Sequence, residues 1–394
     1  MRICLVTREY PPITPYTGGI GTTFAALGGE LGRRGLEPHV VTLSEERGQE
    51  FERDGVHFHL LRPPARPQLS FLDDLRWTFD VDRALRRLGR FDAIYAAEWG
   101  GDCWRYARHK RSGPLVTKLA TSLAQALLVS PGWKRSFPLR LRHVLQHPLE
   151  RGQAQRSDAL VAPSQAVLDW ARELWPLDSI PSLVIPNPID LERISRLSRG
   201  ELPRGFPEHG PVVLFPGRLE IRKGAHVLVE AMVRVWSEFP EAQLVMIGRD
   251  GYWNRGPMSR HLRQCAGTRA DRLHLLGMQA HEQLFPALAM ADVVCAPSLW
   301  EAFGMVALEA MALGRPLVVT DAGGFREFVR HEHDGLLVPS GDVPALADAI
   351  SRLLGDRALC ERLGASAATR AREFAPAPTA DRFLSWFGEI AQRS

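Results

Sequence analysis

Cysteine is scarce in this 394-residue chain: Cys4, Cys103, Cys265, Cys295 and Cys360 are scattered, with no CxxC pair and no cysteine–histidine cluster. That spacing argues against a disulfide framework and against a thiolate zinc site, and predicts buried free thiols in a reducing compartment. Long apolar runs are also missing. No stretch approaches the roughly 20 apolar residues of a membrane-spanning helix, and the apolar run in MRICLVTREYPP is too short for a signal peptide. A cytoplasmic protein is expected. Charge of one sign is in short supply: 49 Lys and Arg against 45 Asp and Glu leave +4. That is too little to argue for nucleic acid, although it suits an anionic ligand or a membrane surface. Neither common nucleotide fingerprint is present. The first glycine loop lacks the third spacing of GxGxxG, and no GK[ST] follows a glycine run, which counts against a dinucleotide dehydrogenase and a P-loop enzyme. No solenoid-period repeat or low-complexity tract occurs.

What is present points to α/β architecture. The length exceeds one ordinary core, so two domains are expected, and 45% hydrophobic with 24% charged residues is a globular composition. Ile3 to Thr7 reads as a strand, EYPPITPYTGGIGTT as a glycine-rich loop, Phe24 to Arg34 as a helix and HVVTL as the next strand: a βαβ opening. Gly18, Gly19 and Gly21 would let backbone approach a ligand closely, with a plain flexible turn as the alternative. VHFHLL and DAIY read as further strands, the latter placing Glu98 and Asp102 of EWGGD at a strand's carboxyl end. A short strand at Leu115 to Leu119 follows. The pattern restarts at VVLFPGRLEIRKGAHVLVEAM, and AQLVMIGRDG and LHLLGM add two more strand ends. Two doubly wound, Rossmann-like domains facing across a cleft are therefore expected, with prolines at SLVIPNPID marking the joint. The chain closes in helical pattern, and Phe383, Trp386 and Phe387 need burial.

Ser298 to Gly324 organises the rest. DVVCA reads as a buried strand, MVALEAMAL as a helix ending at Gly314, and PLVVTD as the following strand. In open α/β sheets ligands sit at strand carboxyl ends, where this stretch sets Glu301 and, about one turn into the helix, Glu309. The amides around Phe303, Gly304 and Met305 are helix-start donors suited to an anion or to sugar oxygens. Gly323 and Gly324 would line the same rim. Arg218 and Lys223 in PGRLEIRKG are two cations at another strand end, suited to a diphosphate leaving group, or else exposed surface charges. Glu309 can accept from the two hydroxyls of a ribose diol, or else merely favours the helix dipole. From 131 to 156 basic and apolar residues mix, which reads as a solvated helix face or as a surface for an acidic acceptor or anionic lipid. His143 and His147, in that segment, read as surface residues.

Glu301 and Glu309, in EAFGMVALE with seven residues between the glutamates, resemble the paired-glutamate motif of family 4 retaining glycosyltransferases, which have the GT-B fold. EYPPITPYTGGIG, IPNPID, GRLEIRKG, LHLLGM, DAGGFREFV and GLLVPSGDVPALADAI are similar to the family's other motifs, in the same order. The resemblance implies an acceptor-binding domain over 1–190, completed by a C-terminal helix over 377–394, and a donor-binding domain over 191–376. It implies that Arg218 and Lys223 bind the donor pyrophosphate, that Glu309 binds the ribose, and that Glu301 with the amides of Phe303 to Met305 holds the sugar. Gly19 would lie beside the diphosphate, with Gly248, Gly277 and Met278 completing the donor set. The activity implied is retaining, same-face transfer of a hexose-type sugar from a UDP, GDP or ADP sugar, with no metal and no cofactor beyond that donor substrate. The acceptor would be a small molecule, a saccharide or a lipid-linked hydroxyl, with membrane contact through 131–156 and no nucleic-acid partner. Where many relatives carry a first-domain histidine, this chain has VTKLATS and Lys118. Glu98, Asp102 and Lys118 are therefore the acceptor-side candidates. A sugar-nucleotide-binding pseudo-enzyme and an epimerase or hydrolase on the same fold are the competing readings.

Overall fold

The computed structural model describes residues 1–14, 18–44, 48–62, 70–129, 137–253 and 256–393. The chain forms two compact units: Met1–Leu128, Gly132–Ile189 and Pro376–Ser394 in one, Val129–Pro131 and Asp190–Ala375 in the other.

The first unit is built on β1 (Arg2–Val6), β2 (Glu37–Leu43), β3 (Glu50–Arg53), β4 (Val56–Leu61), β5 (Ala93–Ala97), β6 (Leu115–Lys118), β7 (Ala159–Ala162) and β8 (Ser182–Val184), in the sheet order β3-β4-β2-β1-β5-β6-β7-β8. All neighbours are parallel except β3 with β4. The short runs AIYAA, LVTK and ALVA are buried along their whole length, as parallel strands covered on both faces must be. The edge strand β3 was not anticipated, because EFER reads as a polar connection. The signal was Asp54-Gly55, which joins β3 to β4 with both φ angles positive, 53° and 72°. An Asp-Gly pair with that geometry is the favoured two-residue hairpin turn.

The second unit has β9 (Val212–Pro216), β10 (Gln243–Ile247), β13 (Leu273–Gly277), β14 (Val293–Ala296), β15 (Leu317–Thr320) and β16 (Leu336–Val338), with a two-residue hairpin, β11 (Tyr252–Trp253) and β12 (Gly256–Pro257), to one side. Its sheet order is β13-β10-β9-β14-β15-β16, all parallel. Counted along the chain this is the 3-2-1-4-5-6 order of a dinucleotide-type fold. The order reverses between β9 and β14, and in open α/β sheets such a switch point, at the strands' carboxyl ends, is where ligands bind. In the first unit the reversal falls between β1 and β5.

The C-terminal helix Pro376–Arg393 belongs to the first unit. Phe383 and Phe387 are fully buried there, with ring centroids 5.1 and 5.6 Å from that of Tyr95. Arg382 donates to the carbonyl of Val184 at 2.6 Å. Phe387→Ala would leave a cavity that neither the sheet nor the helix can close, and is expected to cost about 3–5 kcal/mol, measured as a shift in the urea midpoint. Cys4, Cys103 and Cys295 are buried free thiols, whereas Cys265 and Cys360 are only half-buried. Among the described residues no helix is long and apolar enough to cross a membrane.

Candidate active site

The loop leaving β9 and the loop leaving β14 are locked together at the second unit's switch point. After β9 the chain makes one tight turn, Ile221–Lys223, which ends on Gly224 with φ at 69°. A Cβ on Gly224 would stand 1.9 Å from the carbonyl oxygen of Pro297, so only glycine permits this approach. Leu299 N–H donates to the Arg222 carbonyl at 2.7 Å, and the Arg222 guanidinium reaches the Trp300 carbonyl at 3.4 Å. These contacts deliver Lys223 to Glu301: Nζ donates to Oε2 at 2.5 Å, and Ser298 Oγ donates to the same oxygen at 3.2 Å. From the other side Gly324 N–H donates to the Glu301 carbonyl at 2.9 Å. At Gly323, φ is 58° and a Cβ would meet that carbonyl oxygen at 2.0 Å. Thr320 Oγ1 holds the Ser298 carbonyl at 2.5 Å. The pair is fixed by backbone on three sides.

Burial raises the Glu301 carboxyl, but the charges of Lys223 and Arg222 and the two donated hydrogen bonds outweigh it and hold the acid below its ordinary range. Burial likewise lowers the Lys223 ammonium, opposed by Glu301 and reinforced by Arg222 and Arg218. The cations outnumber the anions here. Arg218, Arg222 and Lys223 face Glu220 and Glu301, with Glu220 shared between Arg222 at 2.8 Å and Arg218 at 3.3 Å. Arg218 stays half-exposed, able to swing onto an incoming anion. Arg222 and Ser298 were not singled out from sequence. Arg222 looks like one more loop cation, and Ser298 has no pattern that would mark it.

The helix Met305–Ala312 starts beside Glu301. Its N-cap, Gly304, has φ at 101° and no side-chain cap, and a Cβ there would strike the Phe325 ring at 2.2 Å. At such a start the Met305 and Val306 amides have no carbonyl one turn back to bond, whereas Ala307 N–H already donates to the Gly304 carbonyl at 3.0 Å. Phe303 contributes only backbone, since its ring is buried against Phe328 and Phe374. Glu309 is buried, one turn beyond Met305 on the same face, and helix side chains lean toward the N-terminus. At Gly248 a Cβ would lie 2.1 Å from the Gly217 carbonyl, so this glycine serves the packing of two strand-end loops. Gly277, with φ at 68°, meets nothing in the space where a Cβ would stand, and Met278 is exposed.

In the first unit, Gly19 opens the helix Gly19–Arg33 behind an N-cap at Gly18, whose N–H donates to Glu9 Oε2 at 2.7 Å. The three acceptor-side candidates are turned inward. Lys118 Nζ donates to Asn187 Oδ1 at 2.6 Å. Glu98 takes the Ala120 N–H at 2.8 Å on both oxygens. Asp102 accepts from Arg8 at 2.7 Å and from the Trp77 indole at 2.9 Å. Glu150, on the helix Phe137–Ala154, staples the loops after β5 and β6 by accepting from Gly100 N–H at 3.1 Å and Leu123 N–H at 3.0 Å. His143 and His147 are not surface residues but half-buried, and His147 Nε2 accepts from the Trp175 indole at 2.9 Å. Of the basic segment, 131–136 lies outside the described residues.

Burial pushes the Glu98 carboxyl up to about 8, helped by Glu150 and opposed by the Ala120 amide and Lys118. It pushes Lys118 down to about 7, opposed by Glu98. Because the folded pKa of Glu98 lies above its ordinary 4.5, its contribution to stability is complete below that value and is lost as pH rises through about 8. Glu98→Gln does not titrate but can still accept the Ala120 N–H. Between pH 5 and pH 8 it is expected to gain on the wild type by roughly 3 kcal/mol. Urea denaturation at both pH values checks this, and equal shifts would show that Glu98 titrates normally.

Residues 203–370 match the family model "Glycosyl transferases group 1" and residues 17–193 match "Glycosyltransferase Family 4". The chain is 31% identical to the phosphatidyl-myo-inositol mannosyltransferase of Mycobacterium leprae over 80% of its own length and 76% of that protein's. It is 30% identical to the D-inositol 3-phosphate glycosyltransferase of Xylanimonas cellulosilytica over 97% and 94% of the two lengths. Among solved structures of like fold, the trehalose-6-phosphate structure from E. coli bound with UDP-2-fluoro glucose superposes with a TM-score of 0.73 at 16% identity, covering 98% of this chain and 99% of that one. With two Rossmann-like sheets and full-length similarity to sugar-transferring enzymes, the chain belongs to the family 4 glycosyltransferases of GT-B fold.

Proposed function

We propose that the protein moves a hexose from a nucleoside-diphosphate sugar to a hydroxyl of an anionic, inositol-type polyol, free or lipid-linked, with retention at the anomeric carbon. The observation that carries the donor half is the Lys223–Glu301 pair at 2.5 Å, lodged where two strand-end loops meet beside a helix start. A diphosphate brings negative charge to Lys223, Arg218 and the helix-start amides, and as its bond to the sugar breaks these groups stabilise the oxygen that gains charge. Glu301, released from Lys223 by the phosphate, then accepts from sugar hydroxyls, and Glu309 would accept from a ribose diol. In same-face transfer the departing phosphate oxygen takes the acceptor proton, so no carboxylate nucleophile is required and no metal enters the scheme. The polyol half rests on the relatives' names and on the net charge of +4.

The test is to incubate the protein with UDP- and GDP-hexoses and either D-inositol 3-phosphate or phosphatidylinositol vesicles, with and without EDTA. An α-linked product from an α-linked donor, formed equally with EDTA, is expected. An inverted product, or activity abolished by EDTA, would overturn the mechanism. Donor hydrolysis that ignores every acceptor would favour a hydrolase instead. The helix Phe137–Ala154 presents Leu141 and Val144 to solvent, 46% and 65% exposed, which supports contact with a lipid surface. Flotation with anionic liposomes at low salt is the expected result, and failure to float leaves the soluble polyol as the acceptor.

A further inference from the structure

The amino-terminal edge of the first unit's sheet, opposite the strand ends that carry the loops described above, holds a second concentration of chemistry-bearing side chains. In β2, Glu37 and His39 share one face because side chains alternate along a strand. The parallel register sets His39 directly opposite His57 of β4, and the antiparallel register sets His57 opposite Glu52 of β3. One row across three strands thus reads His39, His57, Glu52, with Glu37 beside it. A carboxylate oxygen of Glu37 and ring nitrogens of His39 and His57 all lie within 4.8 Å of one another, and Glu52 Oε2 is 3.7 Å from His57 Nδ1. Two imidazoles and one or two carboxylates suit first-row divalent ions.

We propose that Glu37, His39 and His57, with Glu52 closing the set, bind a single divalent transition-metal ion such as Zn²⁺. A cation already occupies part of this space: Arg2 Nε donates to Glu37 Oε1 at 3.0 Å and to His39 Nε2 at 3.2 Å. The same guanidinium has other anchors, with Nη1 donating to the carbonyls of Leu88 and Arg90 at 2.8 and 2.9 Å. It can therefore yield Nε without losing its place. The metal also requires a turn of one ring. His39 and His57 are stacked with centroids 4.8 Å apart, so their lone pairs run side by side. His57 is half-buried, and its ring is the one that would turn toward Glu37. His39 is fixed by His59, whose Nε2 is 2.8 Å from His39 Nδ1, the kind of outer contact that orients a metal ligand.

The test uses the full chain, stripped with EDTA and dialysed, titrated with Co²⁺ by visible absorption and with Zn²⁺ by calorimetry. One site is expected, with Co²⁺ showing the strong d–d bands of a low-coordinate N/O environment. His57→Ala should weaken binding on the order of 100-fold, and Glu37→Gln about tenfold or more. Both positions are at least partly exposed, so both variants should keep the wild-type melting temperature. Arg2→Ala should tighten binding, an outcome that a purely structural ladder of histidines would not produce. His261→Ala, which removes a ring 3.5 Å from the Cys265 sulfur in the other unit, should leave the titration unchanged. Equal affinity in the wild type and His57→Ala, or loss of binding only in His261→Ala, would overturn the proposal. So would the absence of saturable binding.

Discussion

Lys223→Ala is expected to lower kcat/KM for transfer on the order of 10²–10³-fold, the usual cost of removing one preorganised charge donor at a developing oxyanion. It should also weaken nucleoside-diphosphate binding by at least about tenfold. The ammonium is held at 2.5 Å from Glu301, on a turn that Gly224 and the Leu299–Arg222 hydrogen bond pin to the facing loop, so no neighbouring lysine can take its place. Arg218 is half-exposed and pairs with Glu220 instead. The stability cost is smaller than a fully buried pair would suggest, because the Lys223 side chain is still 23% exposed; after that discount about 1–2 kcal/mol is expected. What remains is an unpaired Glu301 beside Arg222 and Ser298. Glu301→Gln added to Lys223→Ala should therefore restore stability while leaving nucleotide binding poor. If the double variant recovered binding, the lysine would be serving the loop rather than the donor. Glu309→Ala should weaken the same nucleotides while leaving inorganic pyrophosphate unaffected, since its assigned contact is to ribose.

Gly224→Ala is expected to be the most damaging single methyl in the second unit, at about 3–5 kcal/mol. A left-handed backbone costs an alanine about 1–2 kcal/mol. The remainder comes from the Pro297 carbonyl, 1.9 Å from the new Cβ, because the clash is with backbone and cannot be relieved by a rotamer change. Gly35 is the matching control. Its φ is 68° and nothing lies within 4 Å of its Cβ position, so Gly35→Ala should cost only the conformational part. Urea denaturation of the two variants separates the contributions. Similar losses in both would mean that the loop leaving β14 gives way easily and that the Lys223–Glu301 geometry is soft.

The doubly wound sheets were legible because parallel strands covered on both faces appear as unbroken apolar runs such as VVLFP and QLVMI, separated by helical stretches. Lys223 and Glu301 were each legible as strand-end residues, but their pairing was not. They lie 78 positions apart, and no periodicity links two loops whose contact is made by a glycine against a proline carbonyl. At Glu98 and Lys118 the sequence does not show which neighbours the side chains meet. A polar residue at a strand's carboxyl end looks alike whether it meets a ligand or a buried partner, and here the partners are the Ala120 amide and Asn187. The helix Phe137–Ala154 was read from its basic and apolar residues, yet its inward stripe is polar. Gln146, Glu150 and Gln153 are buried, bound to loop backbone and to one another. A reading that assigns apolar residues to the inside misses such a stripe.

If a donor diphosphate binds beside Lys223, Arg218 and the start of the helix Met305–Ala312, nucleotide affinity depends on Lys223. Calorimetric titration of the wild type and Lys223→Ala with UDP, GDP, ADP and TDP tests it most directly. The wild type is expected to bind at least one of the four with a clear preference, and Lys223→Ala to bind the preferred nucleotide at least about tenfold more weakly. Equal affinity in the two proteins, or no binding of any of the four even with an inositol phosphate present, would contradict it.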